Sequence, residues 1–159
     1  MSLGPTLAEF LEAIEESAPV GALRESVLAY PLVNAVHIIG VALLFGAIVA
    51  LDLRLLGWRR DAVAVDGIAR LLVPVAVAGL ALAIPAGLLL FATDARAYAA
   101  SPLFQAKMLL VALAIANALW LRTTDWRGAS GGPRAALAGA VSLLLWLGAI
   151  VLGRLVGYF

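Results

Sequence analysis

Four long apolar stretches alternate with shorter polar connections along this chain. They cover residues 31–51, 71–93, 102–121 and 135–153, and each is close to the about 20 apolar residues that a helix needs to cross a bilayer. Short connections place consecutive helices side by side in antiparallel orientation. The pattern therefore predicts an all-α integral membrane protein, with an antiparallel four-helix transmembrane bundle as a single domain over residues 1–159.

An amphipathic pattern precedes the first span, within residues 6–17. Its apolar face consists of Leu7, Phe10, Leu11 and Ile14, and its acidic face of Glu9, Glu12, Glu15 and Glu16. Helices that lie on a membrane surface usually carry Lys and Arg on the polar face, so we expect this acidic helix to pack over the mouth of the bundle. Its glutamates are either solvated or form a docking face for a partner. Residues 17–21 are expected to break the helix, and residues 22–30 to form a second short turn.

The composition excludes several other classes of protein. Hydrophobic residues make up 64% of the chain and charged residues 13%, against about 45–50% and about 25% in an ordinary soluble domain. A water-soluble globule and a disordered chain are both excluded by this balance. The absence of cysteine excludes disulfides and thiolate metal sites. No basic patch for nucleic acid is present, and the acidic first 25 residues do not resemble a signal peptide.

The arginines are distributed unequally between the two ends of the predicted spans. The first and third connections hold Arg54, Arg59, Arg60, Arg70, Arg122, Arg127 and Arg134, and the opposite side holds Arg24, Arg96 and Arg154. Because Lys and Arg near span ends concentrate on the cytoplasmic side, both termini are predicted to face outward. The richness in Ala, Gly, Leu and Arg suggests a bacterium with GC-rich DNA, so the predicted location is a bacterial inner membrane.

Small residues recur at four-residue steps within two spans. The second span contains Gly79, Ala83 and Gly87, and the fourth ends with Ala149, Gly153 and Gly157. Helices in lipid associate through close packing at small residues, so we interpret both stripes as helix contacts, within the chain or in a homo-oligomer. Pro85 lacks the amide that would bond to the carbonyl of Ala81 and is expected to kink the second span.

Polar residues within the spans converge at one depth. Counted from the outer surface, His37 lies about 9 Å and Lys107 about 7.5 Å into their helices, at 1.5 Å of rise per residue. Asn34 shares a helix face with His37, while Tyr98 and Arg154 lie near the same end of the bundle. Ionisable groups in spans indicate function by default. The structural alternatives are a packed histidine, a lysine that reaches toward headgroups and an arginine that anchors the interface.

Two further polar residues are expected to join helices. Asp52 lies on the same stripe of the first span as His37, so we expect it to face the bundle and to pair with Arg122 or Arg70. Asn117 in the third span is expected to bond to a neighbouring helix.

Three runs of residues resemble known families. They are Tyr30-Pro-Leu-Val-Asn-Ala-Val-His37-Ile-Ile-Gly40, Asp52-Leu-Arg-Leu-Leu-Gly57 and Tyr98 followed by Ser101-Pro-Leu-Phe-Gln-Ala-Lys107. Together they resemble a family of small bacterial membrane proteins catalogued only as a domain of unknown function. More distantly, the layout is similar to the copper resistance protein D family and to the membrane-bound protoporphyrinogen oxidase family. This likeness implies a haem or tetrapyrrole site at His37 and Lys107.

Three hypotheses about function follow from these residues. In the first, the protein binds haem b or a related tetrapyrrole, with His37 as the iron ligand and Lys107 as the partner of a propionate or a second ligand; a redox enzyme and a binding protein both remain open. In the second, it is a non-catalytic accessory or scaffolding subunit of a membrane complex. In the third, it is a small transporter or copper-import component. One histidine excludes a bis-histidine haem within a single chain.

Overall fold

The computed structural model describes residues 5–59, 61–62, 64–123 and 132–158. These residues form α1 (Pro5–Glu15), α2 (Ala18–Glu25), α3 (Ala29–Leu55), α4 (Val65–Ala92), α5 (Ala95–Ala100), α6 (Pro102–Arg122) and α7 (Gly132–Leu155). No β-strand occurs among them. Four of these helices, α3, α4, α6 and α7, are long and apolar enough to cross a membrane. The prediction of an all-α protein with four candidate spans is confirmed.

The long helices continue beyond the apolar stretches at one end of the protein. Helix α3 continues to Leu55 and α4 begins at Val65, so Asp52 and Asp66 are helical although they are charged. A hydropathy pattern detects the apolar part of a helix, whereas the helix itself ends where its backbone is capped. In α3 that cap is Gly57 at φ +100°. Its N–H donates to the carbonyl of Arg54 and the next N–H to that of Leu53, a Schellman motif that glycine accommodates without strain.

Helix α6 begins at Pro102, the residue at which the sequence predicts the third span to start. Ser101 is the N-cap, and its hydroxyl accepts a hydrogen bond from the N–H of Phe104 at 3.4 Å. Pro102 follows in the first turn, where its missing N–H costs nothing.

Two short elements differ from the sequence prediction. The break expected at residues 17–21 is shorter, because α1 ends at Glu15 and α2 already begins at Ala18 with Pro19 in its first turn, a position that proline favours. The second short helix, expected at residues 22–30, therefore covers Ala18–Glu25, and a further break follows around Ser26, whose hydroxyl accepts from the N–H of Ala29. The connection before α6 contains α5, whose six residues are too few to produce a recognisable period.

Helices α3 and α4 approach each other through glycines. A Cβ added to Gly40 would lie 2.6 Å from the backbone nitrogen of Ala83, and one added to Gly79 would lie 2.5 Å from that of Leu44. Gly40, Gly79 and Ala83 are buried in this contact. The predicted stripe on the second span is therefore a helix contact within the chain, as small residues allow in an apolar environment.

Three successive levels can be distinguished along the long helices, and two of them are clusters of buried residues. One end holds the cluster Leu55, Val65, Ala69, Leu121, Ala135 and Ala138. A middle apolar layer of Leu44, Ala114 and Trp146, with Phe45, Ile48, Leu80 and Val111 packed against it, comes next. Helix α5 marks the other end, which we call the α5 end. Asn117 also joins two helices, since its amide donates to the carbonyl of Ala138 at 2.9 Å, as expected from the sequence.

The close approach of α3 and α4 predicts a position-dependent effect of adding one methyl group. Gly40→Ala should lower the free energy of unfolding by about 1–3 kcal/mol, because backbone atoms must move apart. The matched control is Gly46→Ala on the same helix, where the added Cβ meets no described atom within 4 Å; it should be neutral or stabilising by about 0.5–1 kcal/mol. Thermal unfolding in detergent measures both. Equal melting temperatures for the two variants would contradict the packing.

Candidate functional site

A cavity of about 180 Å³ lies at the α5 end, between α3, α4, α5, α6 and α7. Its polar lining is contributed by Tyr30, Asn34, His37, Tyr98 and Lys107. Four of the five residues selected from the sequence, His37, Lys107, Asn34 and Tyr98, therefore meet around one space. No acidic side chain is among the described residues that line it.

Arg154, the fifth selected residue, lies outside this lining. It is exposed on α7, where its guanidinium donates a hydrogen bond to the hydroxyl of Tyr158 and lies 4.6 Å from that ring centroid. Tyr158 lies in the turn that follows α7. Gly153 of α7 and Gly157 of that turn line the cavity instead.

His37 is fixed by a hydrogen bond to the neighbouring helix. Its Nδ1 lies 2.8 Å from the carbonyl oxygen of Ala83. Because a carbonyl only accepts, Nδ1 carries the proton in this contact, and in the neutral ring Nε2 retains its lone pair. Gly87 makes room for the ring, since a Cβ there would lie 2.9 Å from Cε1 and 3.1 Å from Nδ1. This is the arrangement in which a backbone carbonyl orients an imidazole for a ligand at its other nitrogen.

The side chain of Lys107 lies over a glycine of the neighbouring helix at ordinary contact distance. A Cβ on Gly153 of α7 would lie 3.5 Å from the Cε of Lys107 and 3.8 Å from its Nζ. The ammonium group lies 5.5 Å from the ring centroid of Phe104, one turn earlier on α6. Within the described residues it forms no ion pair. A partly buried cation without a carboxylate partner favours an anionic ligand.

Three aromatic rings close the cavity between α4, α5 and α6. Phe91 stacks on Phe104 with centroids 5.3 Å apart, and Tyr98 lies 5.5 Å from Phe104 and 6.2 Å from Phe91. We call these residues the aromatic cluster. Burial raises the pKa of the Tyr98 phenol, and Tyr30 and Asp94 raise it further. The phenol therefore stays protonated at neutral pH and can donate a hydrogen bond.

Helix α1 holds α5 through its acidic face. Glu15 accepts a hydrogen bond from the backbone N–H of Arg96 at 2.7 Å and one from its Nε at 3.1 Å, while Glu12 forms an ion pair with the same guanidinium at 3.2 Å. The hydrogen bond from the Arg96 backbone lowers the pKa of Glu15, with its guanidinium adding to the effect. A lowered folded-state pKa means that Glu15 stabilises this contact above its ordinary pKa and stops doing so as the pH falls through the lowered value.

The opposite end contains a second polar group, and there the sequence prediction was wrong. Asp52 is 5% exposed, and the hydroxyl of Ser142 on α7 is a hydrogen-bond partner of its carboxyl group. Its Oδ2 has no partner among the described residues. Arg70 pairs instead with Asp66, four residues earlier on the same helix, at 2.8 Å. No ion pair between Asp52 and Arg122 occurs in the described structure either.

Several residues of the cavity were not selected from the sequence as site residues. Tyr30 belongs to a run that carries the family resemblance. Gly87 and Gly153 belong to the small-residue stripes, which the sequence pattern assigned to helix contacts. Phe104 also belongs to one of the runs that carry the resemblance, whereas Phe91 had no signal of its own, because an aromatic residue in an apolar span is typical of a lipid contact. Only the tertiary arrangement of α4, α5 and α6 brings these rings together.

No family model, curated protein or solved structure matches this chain.

The hydrogen bond of His37 makes a direct spectroscopic prediction. The chain has one histidine, so ¹⁵N labelling of histidine gives the signals of a single imidazole. We expect the neutral tautomer with its proton on Nδ1, because Nδ1 faces the carbonyl oxygen of Ala83. Gly87→Ala should displace the ring and shift both nitrogen signals, whereas Gly67→Ala, at an open position on the same helix, should not. A proton on Nε2 instead of Nδ1 would contradict the geometry.

Proposed function

We propose that this chain is an antiparallel four-helix bundle in a bacterial inner membrane. The order of the three levels supports the antiparallel arrangement. Helix α3 passes from His37 at the cavity through Leu44 to Leu55, and α6 from Lys107 to Leu121. Helices α4 and α7 run through the same levels in the reverse order. The many exposed leucines, isoleucines and valines of these helices are suited to contact with lipid.

The distribution of arginines supports an orientation with both termini outward. A reporter active only in the periplasm should therefore give signal when fused to the C-terminus, and a reporter active only in the cytoplasm should not. Fusion after residue 59, in the first connection, is the matched control and should give the opposite pair of signals. Cytoplasmic activity at the C-terminus would reverse the proposed topology, and with it the side on which the cavity lies.

We propose further that the cavity binds haem b or a related tetrapyrrole. The observation that carries this proposal is the convergence of His37 and Lys107 on one cavity. His37 is oriented by the carbonyl of Ala83 with Nε2 left for a ligand, and Lys107 is a cation without a carboxylate partner among the described residues. The layout of the chain, with a histidine in an early helix and a lysine opening a later one, is distantly similar to the membrane-bound protoporphyrinogen oxidase family, which is associated with haem, and this points the same way.

The donor groups of the cavity fit a tetrapyrrole, but the cavity must widen before it can enclose a whole one. Neutral imidazole is a common axial ligand of haem iron, an ammonium group neutralises a propionate, and the aromatic cluster offers apolar ring faces. The cavity measures about 180 Å³, less than the about 300–1,000 Å³ of sites that enclose a drug-sized ligand. It therefore holds part of a macrocycle. A whole one requires the stacked rings of Phe91 and Phe104, which join α4 to α6 at this end, to separate.

Each residue of the site has a defined task in this proposal. When bound, haem supplies electron-transfer chemistry. The carbonyl of Ala83 keeps the proton on Nδ1 of His37, so that Nε2 faces a ligand as a base. Lys107 balances the charge of an acidic substituent, and Asn34 and Tyr98 provide hydrogen bonds to polar groups at the same end. The middle apolar layer keeps water from passing between this site and Asp52.

The middle apolar layer also separates this proposal from the transport hypothesis. Leu44 and Trp146 belong to this apolar layer and lie between the cavity and Asp52 along α3 and α7. Transport would need this layer to part. The accessory-subunit hypothesis is favoured by no particular contact, because lipid accounts for the exposed apolar surface.

Titration of the purified protein with haem tests the proposal. The wild type should give a saturable Soret band, and His37→Ala should abolish its shift. Lys107→Ala should weaken binding about tenfold or more, the order expected when a charge-assisted contact is lost. Arg154→Ala is the matched control, since Arg154 lies at the same end outside the cavity lining, and it should bind as the wild type does. Identical spectra for wild type and His37→Ala would contradict the site.

A further inference from the structure

We propose that Glu12, Glu15 and Arg96 form a latch that controls access to the cavity: closed, it holds α5 and the aromatic cluster in place, and open, it lets ligand enter and leave. This inference rests on the proposed function only in taking the cavity as a binding site. It adds a role for the N-terminal helix, none of whose described residues lines the cavity.

The latch is centred on one nearly buried carboxylate. The side chain of Glu15 is 10% exposed, whereas those of Glu12 and Arg96 are 47% and 48% exposed. Glu15 holds Arg96 by two hydrogen bonds, of which one is to the backbone and persists whatever the side chain at position 96. Asp94, the residue before α5, provides no side-chain cap of its own. The first turn of α5 therefore depends on α1 for a hydrogen-bond acceptor.

Helix α5 is the element that joins the two sides of the cavity at this end. The pairs α3 with α4, α6 with α7 and α3 with α7 pack directly, while α5 packs against both α4 and α6. It also carries Tyr98, the member of the aromatic cluster that contacts Phe91 on α4 and Phe104 on α6. With six residues, α5 is too short to be stable alone. Releasing it from α1 should therefore loosen the rings that limit the size of the cavity.

The charges around the latch favour a closed state at neutral pH. Arg96 faces Glu15 from α5, Arg24 of α2 donates to the backbone carbonyl of Glu15 at 3.3 Å, and Glu12 is on the same helix. Asp94 precedes α5 and adds a third negative charge. The two hydrogen bonds that Arg96 donates to the Glu15 carboxylate favour its ionised form, so Glu15 keeps both of them at neutral pH.

Thiol labelling in the cavity measures access without any ligand. The chain has no cysteine, so Val156→Cys, at a cavity-lining position directly after α7, introduces a single reactive group. In this background Glu15→Ala should raise the rate of maleimide labelling by about threefold to tenfold, the order expected when a hydrogen-bonded charge is removed. Arg96→Ala should raise it less, because its backbone hydrogen bond to Glu15 remains. The double variant should match Glu15→Ala, since both changes open one latch.

Glu9→Gln is the matched control, because Glu9 is exposed on the same helix and forms no ion pair within the described residues. It should label at the rate of the parent. Hydrogen exchange of residues 95–100 provides a second readout, and Glu15→Ala should speed exchange there while the middle apolar layer stays protected. Thermal unfolding checks that each variant remains folded.

Labelling and exchange rates that are the same in Glu15→Ala and Glu9→Gln would overturn the latch. That outcome is distinct from failure of the proposed function. If the protein binds no haem but Glu15→Ala is labelled faster, the latch proposal stands and the haem proposal fails. If the protein binds haem through His37 but labelling is unchanged, only the latch proposal fails.

Discussion

The contact between α3 and α4 at Gly40 and Gly79 is the constraint on which the rest of the site depends. In lipid, helices gain little from burying apolar side chains, so close backbone approach at small residues has to hold them together. Here two glycines and Ala83 let the backbones meet with no room for one further methyl group. One turn further along, the same approach brings the imidazole of His37 over Gly87 and within hydrogen-bond distance of the Ala83 carbonyl. The contact that joins the helices thus also fixes the tautomer of His37, the proposed iron ligand.

The second pair of helices contributes the other basic side chain of the cavity. Lys107 of α6 lies over Gly153 of α7, and both Lys107 and His37 line the same cavity. The two contacts differ in closeness, because a Cβ on Gly153 would be in ordinary contact with the lysine side chain, whereas one on Gly87 would lie 2.9 Å from the imidazole. The two basic residues reach the cavity from different helix pairs, and no described lining residue carries a negative charge. This imbalance, rather than either residue alone, is the reason to propose a ligand with an acidic group.

The ends of the protein differ in how they satisfy polar groups. At the α5 end, Glu12 and Glu15 lie near the surface and share Arg96, so their contact can open at modest cost. At the other end, Asp52 is buried against Ser142 and Gly139 of α7, and one of its oxygens lacks a partner among the described residues. The middle apolar layer separates the two. In the proposed arrangement, the contact that opens therefore lies at the cavity end, and the opposite end stays packed.

The sequence by itself determined the four candidate spans, the start of α6 and the small-residue stripe of the second span, because each depends on local composition, capping or spacing. The shared depth of His37 and Lys107 also followed from counting residues along two helices. Only the tertiary structure decided which side chains touch. It excluded Arg154 from the cavity lining, paired Arg70 with Asp66 rather than Asp52, and brought Phe91, Tyr98 and Phe104 together. It also revealed α5 and its attachment to α1. Helical periodicity fixes the face on which a residue lies, but the rotation and neighbours of each helix are set by packing between segments far apart in the chain.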